Sequence, residues 1–152
     1  MALCEVCGET TKTTNVCRKC RPYYEWERDK ERIIEQLFPR RIATKLLELD
    51  IKIDDHDIQV LDAGDGLYLY GKSGTGKTLY GAAILCIYVK YNRNASVQFV
   101  DMQELLNDAK KYFQGKLEGD PVQAAKERDC LMVDDLGMEQ LTDWSWHVIH
   151  NL

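Results

Sequence analysis

Apolar residues in the first third of the chain recur at helical spacing. Trp26, Ile34 and Leu37 fall on one face of a predicted helix over residues 23–37, whose other face is rich in Glu and Arg. Residues 40–49 carry a second, shorter amphipathic pattern. We therefore expect two short helices here, either simply packed together or serving as a connector between the regions on either side.

The rest of the chain alternates short apolar runs with helical patterns. The elements expected in chain order are a strand at 67–70, a helix over 79–91, a strand over 96–100, a helix to about Phe113, a helical turn over 122–128, a strand over 130–133 and a helix that starts at Thr142. Strands that alternate with helices indicate an α/β fold with a parallel sheet. Asp101 is expected to cap the helix after it, because Glu104 lies three residues on. Residues 50–66, rich in aspartate, are expected to form a solvated linker, with one short turn near Ile58–Leu61 as an alternative for that part.

A glycine-rich turn follows the apolar run at 67–70 and matches the phosphate-binding pattern G-x-x-x-x-G-K-[ST] at every specified position. A turn of this kind between a strand and a helix directs several backbone N–H groups into one concavity, where the helix dipole adds partial positive charge. Lys77 is expected to reach the β- and γ-phosphates of ATP, and the Thr78 hydroxyl to ligate Mg²⁺. The expected nucleotide-binding residues are Gly71, Lys72, Ser73, Gly74, Thr75, Gly76, Lys77 and Thr78.

A second apolar run, residues 130–133, ends in the paired acids Asp134 and Asp135, about 50 residues after the glycine-rich turn. Ligands of open α/β sheets bind at the carboxyl ends of the strands. We expect Asp134 to hold Mg²⁺ directly or through water, and Asp135 to polarise an attacking water. A strand that merely ends in a solvated Asp-Asp turn is the alternative, and the preceding phosphate loop favours the catalytic interpretation.

Two cysteine pairs lie near the start of the chain, Cys4 with Cys7 and Cys17 with Cys20, with nine residues between the pairs. Two such pairs can place four thiolates at the corners of a tetrahedron, the geometry that zinc prefers. So short a segment buries little apolar surface, and zinc binding would then supply most of its folding free energy. Disulfides or unrelated thiols are the alternatives, and an intracellular location disfavours disulfides.

Composition narrows the class of protein. The 152 residues suit one domain, or one domain with a small module, and no apolar run approaches the length of a membrane-spanning helix. The first residues show no secretory signal, which favours a cytoplasmic protein without a membrane partner. The net charge of −5 argues against a protein that coats duplex DNA through bulk electrostatics, although a local contact with nucleic acid is compatible with it.

Two stretches together resemble one known family. Leu67–Thr78 and Leu131–Gly137, the latter followed by an acid and then Trp144, resemble the DnaC/IstB-like ATPases. These are the AAA+ helicase loaders of bacteria and phages, with their transposition-helper relatives. The resemblance covers about residues 39–152, and its most specific part is the run Asp134-Asp135-Leu136-Gly137.

This resemblance implies a P-loop NTPase core with an AAA+/RecA-like parallel sheet, preceded by a zinc-ribbon-like module and a helical connector. The expected division of the chain is 1–22 for the zinc module, 23–49 for the connector and 50–152 for the ATPase core. The implied function is ATP-dependent loading of a replicative DNA helicase, with that helicase, single-stranded DNA and further copies of the chain as partners. By arrangement alone, the cysteine module is similar to the zinc-bearing region with which several loaders contact the helicase.

The resemblance also implies a strand with a polar sensor residue, and an arginine finger, beyond the helix that starts near Thr142. Because the sequence stops at Leu152, we expect a C-terminally truncated chain with an incomplete sheet. Such a chain would bind nucleotide in part and hydrolyse it poorly. The alternatives are a zinc-module adaptor that binds nucleotide without turnover, and a transposition-helper ATPase. A nucleotide kinase is disfavoured, because no stretch suggests a second substrate pocket or lid arginines.

Overall fold

The computed structural model describes residues 2–11, 15–137, 142–150 and 152. The chain divides into two compact units, Met1–Asn94 and Ala95–Leu152. The helices and strands in chain order are β1 (Ala2–Leu3), β2 (Thr10–Thr11), α1 (Arg21–Leu37), α2 (Arg40–Glu48), α3 (Asp55–Asp62), α4 (Lys77–Tyr91), β3 (Val97–Asp101), α5 (Met102–Phe113), α6 (Pro121–Lys126), β4 (Cys130–Asp134) and α7 (Asp143–His150). The chain is therefore a mixed α/β protein, and its division into 1–22, 23–49 and 50–152 stays a prediction.

Helices dominate the first unit. α1, α2 and α4 contact one another, and α3 contacts α4. α4 is apolar on most of its circumference, so its middle residues are buried in succession, with Leu85 only 2% exposed. The expected helices at 23–37 and 40–49 are confirmed within two residues at each end. None of the helices in the described ranges is both long and apolar enough to cross a membrane.

An ion-pair network ties the first helix to the end of α4. The Arg93 guanidinium, two residues beyond α4, lies 3.1 Å from the Asp29 carboxylate and 3.8 Å from that of Glu25. Asp29 also accepts from Arg28, and this bond lowers the pKa of Asp29. Because these side chains are partly exposed, we assign the network an orienting role and little net stability.

The predicted linker over residues 50–66 is wrong in part, because residues 55–62 form the helix α3. Asp54 caps this helix, since its side chain accepts from the His56 backbone N–H at 2.9 Å. An aspartate at the N-cap satisfies one of the free N–H groups of a first turn. This capping position is what the sequence interpretation missed.

The apolar run Leu67–Tyr70 is not a strand in this structure. Tyr68 and Tyr70 are 73% and 84% exposed, and their rings stack on each other with centroids 6.2 Å apart. A strand needs a partner for its backbone, and in the described part of the first unit the only sheet is the antiparallel pair of β1 with β2. The expected strand before the glycine-rich turn is therefore corrected to a segment without regular secondary structure.

The second unit is built on two adjacent parallel strands. β3 pairs with β4 from Val97 opposite Cys130 to Asp101 opposite Asp134. The core of this unit comprises Val100, Met102, Leu105, Leu106 and Val148. The predicted cap at Asp101 is confirmed, because its side chain accepts from the Glu104 backbone N–H at 3.1 Å.

The last helix also begins as predicted. The Thr142 hydroxyl accepts from the Ser145 backbone N–H at 3.1 Å, and the Ser145 hydroxyl accepts from the Thr142 backbone N–H at 2.8 Å. This reciprocal pair satisfies two N–H groups at the start of α7. Ser145 is consequently buried with its polar atoms bonded.

The carboxylate of Asp129, just before β4, is hydrogen-bonded to Ser96, just before β3. Asp129 accepts from the Ser96 backbone N–H at 2.7 Å and from the Ser96 hydroxyl at 2.8 Å, and these bonds lower the pKa of Asp129. A lowered pKa in the folded state stabilises the fold above the ordinary aspartate pKa, and this stabilisation is lost as pH falls through the folded value.

We expect Asp129→Asn to lower the melting temperature at pH 6, because a neutral amide is a weaker acceptor than a carboxylate. The difference from wild type should narrow as pH falls from about 4, the unfolded aspartate pKa, through the lower pKa of the folded wild-type carboxyl. Circular dichroism melts from pH 6 to pH 3 measure this. A difference that is the same at both ends of the range would contradict the assigned role of Asp129.

Candidate functional site

The glycine-rich turn precedes α4, and side-chain hydrogen bonds connect its end with its beginning. Gly76 precedes the helix with φ of 91°, a left-handed conformation that glycine adopts without a steric penalty. The Lys77 ammonium donates to the backbone carbonyls of Gly71 at 3.0 Å and Lys72 at 2.9 Å. The Thr75 hydroxyl also donates to the Lys72 carbonyl, at 2.9 Å. The side chain of Lys77 is thereby held across the loop.

The local electrostatics suit an anion. The first turn of α4 contains no acidic residue, and Gly76 has no side chain that could cap its backbone N–H groups. Residues 71–76 are exposed, whereas Lys77 and Thr78 are half-buried. N–H groups at a helix start, together with a nearby ammonium, form an environment that polyphosphate groups favour. The loop therefore offers N–H donors and a positive charge to an anion, with Thr78 at the second helical position.

The predicted acidic site lies in the second unit. Asp134 ends β4 and stands opposite Asp101, the last residue of β3, so two carboxyl-bearing residues meet at the carboxyl ends of adjacent parallel strands. Asp135 follows in an exposed turn with φ of 54°. Carboxylate oxygens are ligands that Mg²⁺ prefers. The sequence interpretation did not predict that Asp101 lies opposite Asp134. The available signal was that each of the two strands ends in an aspartate.

The two parts of the expected ATPase site thus fall in different units. Residues 71–78 belong to the first unit, and Asp134 and Asp135 belong to the second. Each set has the local geometry just described. Their joint action on one nucleotide stays a prediction.

The four cysteine sulfurs of the amino-terminal segment converge. The Sγ atoms of Cys4, Cys7, Cys17 and Cys20 all lie within 4.8 Å of one another. The Cys7 and Cys17 sulfurs are 3.7 Å apart, close to the edge of about 3.8 Å of a tetrahedron with zinc–sulfur bonds of about 2.3 Å. The donor set and its spacing therefore fit a zinc ion.

Backbone contacts prepare one of these thiols for metal binding. The Cys17 backbone N–H donates to the Cys4 sulfur at 3.3 Å. This bond and another from the Cys7 backbone lower the pKa of Cys4 to about 6. The neighbouring sulfurs of Cys17 and Cys7 instead raise the pKa of Cys20 to about 12. Four thiols this close cannot all ionise without a cation, and Zn²⁺ supplies the charge that would let them do so.

The sequence interpretation missed one group beside the phosphate loop. Tyr80, one turn into α4, donates its hydroxyl to the Asp57 carboxylate at 2.6 Å and accepts from the Asp54 backbone N–H at 3.2 Å. Two aspartates at the first turn of α3 thereby contact the helix that follows the loop. The capping pattern at Asp54 was the only sequence signal for this arrangement.

Comparison with known proteins gives a partial match. No profile of a known protein family matches the sequence, and no solved structure matches it. Over 81 residues, the chain is 35% identical to the replicative helicase loader DnaI of Bacillus subtilis (strain 168). The match covers 53% of this chain and 25% of that protein's length. The chain is therefore similar to that helicase loader over about a quarter of the loader's length.

Proposed function

We propose that the chain is an ATP-binding protein of the helicase-loader type, which acts on a replicative DNA helicase. The observation that carries the proposal is the bonding of the Lys77 ammonium across the loop, to the carbonyls of Gly71 and Lys72, at the uncapped start of α4. The partial similarity to a replicative helicase loader supports the choice of this class among phosphate-binding proteins.

In the proposed mechanism, the loop binds and orients the phosphates. Backbone N–H groups of the loop would donate to the phosphates, and the Lys77 ammonium would exchange its carbonyl partners for β- and γ-phosphate oxygens. Mg²⁺, when bound, would neutralise phosphate charge, and the residues of this chain assigned to hold it are Thr78 and Asp134. Asp135 is assigned the role of accepting a hydrogen bond from the attacking water and so orienting it for hydrolysis. Bound MgATP supplies the phosphoanhydride bond whose cleavage drives the cycle.

The remaining parts of the chain are assigned to partners. The cysteine cluster, loaded with zinc, would present a fixed surface to the helicase, and α1 would connect it to the nucleotide-binding part. We propose single-stranded DNA and further copies of the chain as additional partners, with an arginine from a neighbouring copy completing the site. The adaptor that binds nucleotide without turnover is the competing function.

Two measurements on the whole zinc-loaded chain test the proposal. Fluorescence titration with a labelled ATP analogue in Mg²⁺ should give saturable binding, competed by unlabelled ATP. Phosphate release at saturating ATP, with and without single-stranded DNA and a replicative helicase, should be slower in Asp134→Asn than in wild type. Lack of nucleotide binding would overturn the proposal. Intact binding with no phosphate release under any of these conditions would favour the adaptor.

A further inference from the structure

The first turn of α4 needs support that leaves its backbone N–H groups available. Helices usually gain that support from a capping side chain, which occupies one or two of those groups. Here the cap is Gly76, which has no side chain, and the first turn holds no acidic residue. If phosphate is to bind the N–H groups, the turn has to be stabilised by a contact elsewhere on it.

Tyr80 makes such a contact. Its backbone N–H donates to the Gly76 carbonyl at 2.9 Å and so closes the first turn of α4. Its side-chain hydroxyl, half-buried, bonds outside the helix, to the Asp57 carboxylate at 2.6 Å and to the Asp54 backbone N–H at 3.2 Å. One residue therefore connects the end of the phosphate loop with the start of α3.

The other end of this contact is itself well ordered. Asp54 accepts the His56 backbone N–H with its side chain, and its carbonyl accepts from the Asp57 backbone N–H at 3.1 Å. The backbone of Asp57 is consequently held within the first turn of α3. The bond from the Tyr80 hydroxyl to the Asp57 carboxylate raises the pKa of Tyr80, as expected for a phenol that donates its proton to a carboxylate.

We infer that Tyr80 is a positioning residue for the phosphate loop, whose hydroxyl contact with Asp57 holds Lys77 and Thr78 in the arrangement that binds nucleotide. This inference rests on the proposed nucleotide binding. Tyr80 does not touch the phosphates in this role. It reduces the ordering that the loop would otherwise undergo when nucleotide binds, which raises affinity by preorganisation.

Tyr80→Phe removes the hydroxyl and keeps the ring, so it tests the inference with little disturbance of packing. We expect the variant to bind a labelled ATP analogue about fivefold more weakly than wild type, at the lower end of couplings between sites. Tyr91→Phe is the matched control, because Tyr91 is the last residue of the same helix and is 64% exposed. That control should bind like wild type.

Variants of Asp57, which accepts the bond from the Tyr80 hydroxyl, show whether affinity depends on this contact, on the negative charge of Asp57 or on folding. Asp57→Asn keeps an oxygen acceptor and should keep near wild-type affinity, whereas Asp57→Ala should lose as much as Tyr80→Phe. The double variant Tyr80→Phe with Asp57→Ala should lose no more than either single change, because one contact is removed in all three. Titrations are run well below the melting temperature of every variant, so that unfolding does not reduce the apparent affinity.

The results distinguish the inference from the function on which it rests. Wild type that binds nucleotide while Tyr80→Phe binds equally well would overturn the inference alone. Additive losses in the double variant, or equal losses in Tyr91→Phe, would also overturn it. Wild type that binds no nucleotide would overturn the proposed function and the inference together.

Discussion

Lys77→Ala is expected to weaken nucleotide binding by about 100-fold, the loss that follows from removing a charged donor to phosphate worth about 2–3 kcal/mol. In the structure the Lys77 ammonium already lies over the loop, bonded to the Gly71 and Lys72 carbonyls. Its positive charge is therefore placed at the phosphate site before nucleotide arrives. Titration with a labelled ATP analogue in Mg²⁺ measures the change.

Lys45→Ala is the matched control for this prediction. Lys45 is an exposed residue in the last turn of α2, and its replacement removes the same charge. The control should bind nucleotide within about twofold of wild type, because surface substitutions away from a site have small effects. Equal affinity in Lys77→Ala and Lys45→Ala would mean that the loop does not bind phosphate through this lysine.

Cys17→Ser is expected to reduce bound zinc from about one ion per chain to nearly none. Zinc binding to an intact structural site contributes about 10–16 kcal/mol, and the substitution removes one of the four thiolates on which that free energy depends. The substitution removes the Cys17 sulfur, which lies 3.7 Å from that of Cys7, and keeps the backbone N–H that bonds the Cys4 sulfur. Metal analysis after gel filtration gives the stoichiometry, and limited proteolysis of residues 1–22 reports the accompanying loss of structure.

A cysteine outside the cluster provides the comparison. Cys130 is a half-buried residue of β4, outside the four-cysteine cluster. The Cys130→Ala variant should therefore retain as much zinc as wild type. We also expect Cys17→Ser to leave nucleotide affinity nearly unchanged, if the cysteine segment and the phosphate loop act as separate modules. Concurrent loss of zinc and of nucleotide binding would contradict that separation, and full zinc content in Cys17→Ser would contradict the four-cysteine site.

Local signals account for the parts of the fold that the sequence predicted well. The helical spacing of Trp26 and Ile34 defines the buried face of α1, because a helix returns to the same face every three to four residues. Capping at Asp101 depends on atoms three residues apart, and this short range makes it readable from the sequence. The convergence of the cysteines follows similarly from their paired spacing.

Features that depend on distant residues were not predictable in the same way. The run at 67–70 has the composition of a strand, yet strand formation depends on a backbone partner that local composition does not specify. The bond between Tyr80 and Asp57 joins residues 23 positions apart across a segment assigned to linker. The opposition of Asp101 and Asp134 likewise required the register of β3 against β4.

The turn after β4 contains a residue in a conformation that disfavours most side chains. Asp135 adopts φ of 54°, a left-handed conformation in which a residue with a Cβ atom is at a disadvantage of about 1 kcal/mol relative to glycine. Gly137, two residues later, occupies the same region with φ of 96° and bears no such burden. A sequence selected for folding alone would favour glycine at both positions. The strand end instead retains an exposed carboxylate, at a small and permanent loss of thermodynamic stability.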